Sequence, residues 1–141
     1  MLAGWRHVLV RSFYMERLPY IDQHSRVITA DREHTWTALL RSSCSDPADL
    51  STVPRGFVPD EVDPPHRLAL RGNHPFSRYA LVFSLSEATP GRTTLTAETR
   101  AVFPGVAGRI YKALVIGSGG HRLVVRRLLR RIAASAEREG A

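Results

Sequence analysis

Three consecutive stretches in the middle of the chain alternate between apolar and polar positions. In "RLALRGNH" (67–74), Leu68, Leu70, Gly72 and His74 share one parity. In "SRYALVFSL" (77–85) the set is Tyr79, Leu81, Phe83 and Leu85, and in "TTLTAETRAVF" (93–103) it is Leu95, Ala97, Thr99, Ala101 and Phe103. Alternation sends one set to each face of a strand, so the pattern predicts three strands, with a hairpin turn at "ATPGR" (88–92) between the last two. The opposite parity carries Arg71, Arg78, Glu98 and Arg100, suited to charge pairs on the solvent side. One face of an antiparallel sheet is therefore apolar and needs a cover.

Other elements flank this core. "YIDQHSRVIT" (20–29) is rich in β-formers and reads as a first strand. In "ADREHTWTALLRSS" Asp31 is an N-cap candidate, and Trp36, Leu39 and Leu40 fall on one helical face. Residues 42–66 hold Pro47, Pro54, Pro59, Pro64 and Pro65, so turns and loops are expected there, with room for one short strand around Phe57–Val62. From Pro104 to Arg138 only a helical pattern remains. At about 100° per residue, Ile110, Leu114, Gly117, His121, Val125, Leu128 and Ile132 form one stripe suited to cover the sheet. Ile116 and Leu123 are expected to point away from it.

That stripe crosses "GSGG" (117–120), which invites a phosphate-loop reading. Gly117 and Gly119 match a G-x-G-x-x-G fingerprint, but the third position is Arg122, and no second strand with an acidic residue follows. No G-K-[ST] follows either. Three glycines inside a helix cost roughly 2–3 kcal/mol relative to alanine, so something should compensate. Two accounts stand: a kink or close packing, or a gap at Gly117 that forms part of a cavity against the sheet.

Composition narrows the class. The 141 residues suit one domain with a real core; residues 1–17 read as an N-terminal extension and 18–139 as the domain. No apolar run approaches the ~20 residues of a membrane span, and charges recur too often in the first residues for a signal-peptide core. The single cysteine, Cys44, excludes an internal disulfide and a thiolate metal cluster; a reducing, cytoplasmic setting is expected. The formal net charge is +7, and of the 20 basic residues only Lys112 is a lysine. Such a balance permits an acidic partner.

The element order (strand, helix, loop, antiparallel strands, long C-terminal helix) resembles the helix-grip fold of the SRPBCC superfamily, which includes START-like domains, polyketide cyclases and the birch-pollen-allergen group. Three segments carry the likeness over residues 20–138: "VITADREHTWTAL", similar to the family's strand-to-helix start with its Trp; "LALRGNHPFSRYALVFSL", similar to its central strands; and "FPGVAGRIYKALVIGSGGH", similar to its Gly-Tyr opening of the last helix. The resemblance implies an α+β domain whose curved antiparallel sheet wraps a long C-terminal helix around an apolar pocket.

Three polar residues are expected to meet on the apolar face: His74, Tyr79 and, from the helix, His121. A few polar tips in an apolar space are the usual make-up of a ligand site. The expected ligand-binding set is Trp36, His74, Tyr79, Phe83, Thr99, Tyr111, Gly117 and His121, taking a small hydrophobic or amphipathic molecule. A cyclase or dehydratase acting through His121 and Tyr79 is an alternative. A third is a docking module for RNA, the ribosome or a partner protein through Arg126, Arg127 and Arg130 on the outer face of the last helix. No metal is expected, since the two inward histidines lack a third ligand, and no cofactor is implied. His24, His34 and His66 read as surface or loop residues.

Overall fold

A sheet of five antiparallel strands in the order β1-β5-β4-β3-β2 carries the fold. The structure, a computed structural model, describes residues 18–74 and 77–140. Its elements are β1 (Tyr20–Ile28), α1 (Arg32–Ser43), a single 3-10 turn (Leu50–Thr52), β2 (Phe57–Asp63), β3 (Arg67–His74), β4 (Ser77–Thr89), β5 (Arg92–Val102), α2 (Gly105–Val115) and α3 (Gly120–Gly140). The chain is thus α+β, with an open sheet gripping a long C-terminal helix. Asp31 caps α1, its carboxylate accepting from the His34 backbone N–H at 2.8 Å.

The alternating sets fall where their parity placed them. Cross-strand register lines up Leu68, Phe83, Ala97 and His24 in one inward row, and Leu70, Leu81, Thr99 and Asp22 in the next. α1 adds Trp36 and Leu39, and α3 adds Val125, Leu129, Ile132, Ala133 and Ala136. Ile28, Leu39, Leu68, Phe83, Leu95 and Ile132 are wholly enclosed, each such side chain stabilising by about 1.5–3 kcal/mol. The opposite face is not purely polar, as the alternation suggested: Ala69, Ala80 and Val82 are buried there under Leu18 and Val102. Of the outward charges, Arg71 meets Asp60 across to β2, and Arg100 meets Glu98 along its own strand.

The expected continuous C-terminal helix is two helices. Gly119 takes a left-handed φ of +79°, which a side chain would resist, and the chain restarts at Gly120. Before the break the Ile116 and Gly117 N–H groups both turn onto the Lys112 carbonyl, and the Ser118 hydroxyl caps the Leu114 carbonyl. The break rephases the pattern. Val125, Leu128 and Ile132 keep the sheet-facing stripe, whereas Ile110 and Leu114 turn to solvent and Gly117 is exposed beside them. The kink account of the glycines holds, and Gly117 makes no gap over the sheet.

Candidate ligand site

Between the sheet, α2 and the N-terminal half of α3 the packing does not close completely. A cavity of about 210 Å³ remains, walled by Tyr79, Leu81, Thr99 and Ala101 of the sheet, by Phe57 and Phe103 at its ends, and by Tyr111, Val115, Ile116, His121, Val124, Val125 and Leu128. Ile116, expected to point away, is one of its walls. The lining is mainly apolar, and Ser77, Tyr79, Thr99, Tyr111 and His121 are its polar side chains.

Tyr79 owes its position to a glycine. Gly72 is its cross-strand partner on β3, and a Cβ there would overlap the phenol ring. The ring instead lies across the bare backbone and meets Phe57 edge-on, with centroids 5.0 Å apart. Burial, with Tyr111 nearby, pushes the Tyr79 phenol up from its ordinary value. At neutral pH it remains an O–H donor.

His121 stands in the first turn of α3, over β5. Its Nε2 lies 3.0 Å from Thr99 Oγ1 and 3.3 Å from Asp22 Oδ1. A carboxylate only accepts, so Nε2 carries the hydrogen that faces Asp22. Asp22 in turn accepts from His24 Nε2 through its other oxygen, at 3.3 Å. Asp22 faces inward in phase with His24 and Ile28, and a bulge just before it, where Tyr20 pairs with Arg100 and Asp22 with Thr99, turns Tyr20 to solvent. The result is a carboxylate-held imidazole at the rim of an apolar space.

The structure thus brings together Tyr79, Thr99, Tyr111 and His121. Phe83 lies deep in the core and touches a neighbouring cavity instead, and Trp36 is packed in the core away from the lining. Gly117 is outside the lining. His74 ends β3 opposite Ser77, and its side chain lies outside the described residues, as do residues 1–17, read as an extension. His24, expected at the surface, is half-buried on the inner face. Asp22, Phe57 and Ile116 were not anticipated. The signal for the first was present: Asp22 and His24 share parity with Ile28, the one wholly enclosed residue of β1.

Comparison with solved structures agrees with this geometry. The chain superposes on a conserved protein from Geobacillus kaustophilus with a TM-score of 0.59 at 14% identity, covering 84% of this chain and 96% of that one. It matches the Zhui aromatase/cyclase from Streptomyces sp. R1128 at 0.58 and 15%, covering 86% and 95%, and the Aha1 dimer from Colwellia psychrerythraea at 0.53 and 12%, covering 82% and 94%. No protein-family model matches the chain, and no curated protein matches it significantly in sequence. At these identities the likeness establishes architecture. The chain shares with these structures one fold, an open antiparallel sheet gripping a long C-terminal helix.

Proposed function

We propose that the protein binds a small hydrophobic or amphipathic molecule between its sheet and α2–α3, with Tyr79, Thr99 and His121 offering hydrogen bonds to any polar group that the bound body carries there. The observation that carries this reading is the apolar cavity whose few polar side chains include Tyr79, Thr99 and His121. The likeness to an aromatase/cyclase supports a pocket of this kind. A test uses two probes of one shape, naphthalene and 2-naphthol. The naphthol is expected to bind about tenfold more tightly, roughly the 1.4 kcal/mol of one good hydrogen bond. Tyr79→Phe and His121→Leu should each reduce that preference. The melting temperature should stay within a few degrees, because Asp22 keeps His24 when His121 is lost. Equal affinity for both probes in the wild type, or a preference untouched by both variants, overturns the reading.

One observation favours a second reading, an enzyme of cyclase or dehydratase type. Asp22 and Thr99 hold His121 through Nε2, an imidazole can accept a proton at its other nitrogen, and Tyr79 stays a donor. An imidazole and a phenol of this kind suit removal of a proton beside a carbonyl whose oxygen is held by the phenol. Incubation with a linear poly-β-keto thioester, followed by mass spectrometry for loss of water, tests it; unchanged substrate counts against it.

A further inference from the structure

A second cavity, of about 400 Å³, adjoins the first and shares Phe57, Leu81, Val124 and Leu128 with it as common wall. Its far end differs in chemistry. There Ser42 and Ser43, from the last turn of α1, line the cavity together with Arg127 and Arg131 of α3. No acidic residue lines this cavity, and no hydrogen bond or ion pair among the described residues holds either guanidinium. Arg127 and Arg131 are four residues apart, so they stack on one helix face as like charges, an arrangement that is itself unfavourable. Two exposed guanidiniums at the edge of an apolar space whose lining holds no carboxylate are complementary to a negatively charged group.

We propose that the second cavity seats the anionic head, a carboxylate or phosphate, of a single-chain amphiphile whose apolar body runs through the shared wall toward Tyr79 and His121. This rests on the ligand-binding reading above and names its ligand class. The axial rise between His121 and the two arginines is about 9 to 15 Å, the reach of a medium-length chain. A guanidinium fork suits either head group.

Displacement of the neutral dye N-phenyl-1-naphthylamine from the full chain tests this with decanol, decanoate and decyl phosphate, which differ only at the head. At low salt at least one anion should displace the dye at concentrations tenfold or more below those of decanol, and the stronger of the two identifies the head. The advantage should shrink as salt is raised. Arg127→Gln with Arg131→Gln should abolish the advantage and leave decanol unaffected. If decanol and both anions compete equally, or the advantage survives in the double variant, the anionic seat is refuted while the pocket stands. If the wild type takes up no dye and binds neither naphthalene nor 2-naphthol, the pocket reading falls and this inference with it.

Discussion

A methyl group added at Gly72 would enter the ring of Tyr79. That contact ties one backbone position on β3 to the donor in the site. Gly72→Ala should therefore cost about 1–3 kcal/mol by overpacking, read by urea denaturation, and should weaken the preference for 2-naphthol because the phenol is pushed aside. In a Tyr79→Ala background the same substitution should cost less, since the ring it strikes is gone and only the Gly56 carbonyl oxygen, 2.8 Å from the added Cβ, still opposes it. Equal costs in both backgrounds would mean that the ring does not depend on the glycine. At this scale the sequence was partly legible. Tyr79, Thr99 and His121 could be placed because strict alternation and the helical stripe fix their faces. Asp22 and His24 were missed because β1 was not assigned a face, although Ile28 sets its parity. The bulge between Tyr20 and Asp22 leaves no mark of its own in the sequence.

Among the elements, α1 is the clearest case of local chemistry setting structure. Asp31 caps it, and the His34 backbone and side chain hold the Asp31 carboxyl below its ordinary value. Asp31→Ala should lower stability by about 1 kcal/mol. A depressed native pKa means that the charge-dependent part of this stabilisation is present above the ordinary aspartate value near 4 and is lost as pH falls through the lower native one. The gap between wild type and Asp31→Ala should accordingly narrow in acid denaturation, modestly, because the cap is exposed to water. A gap that is constant from neutral pH to below pH 3 would contradict the cap. The helical C-terminus was harder to read. Its apolar positions stay in phase from Ile110 to Ile132, so periodicity alone cannot distinguish one helix from two. Only the left-handed backbone at Gly119 makes the division, and it turns Ile110 and Leu114 to water and Ile116 inward.

At the scale of the whole molecule, the sheet, the order of elements and the long terminal helix followed from periodicity, since those features rest on burial of alternating residues. The cavities did not, since a void depends on where two helices part from a sheet. The helices that bound them are anchored very differently. α3 buries Val125, Leu129, Ile132, Ala133 and Ala136 in the core, whereas Gly108 is the only residue of α2 that is buried. α2 otherwise rests on Tyr111 against Phe103, ring centroids 6.1 Å apart, with Val106, Ile110 and Leu114 in water. Local opening follows buried contact, so hydrogen exchange should be much faster along α2 than along the middle of α3, and a bound ligand should slow α2 selectively. Equal protection of both helices in the empty protein would refute this.

The break at Gly119 then has a kinetic meaning. On the binding reading, opening of α2 about Gly119 while α3 stays seated would make the wall over a guest also the door through which it leaves. Residence time would be set by how often that short helix lifts, independently of how well the sheet grips what lies beneath.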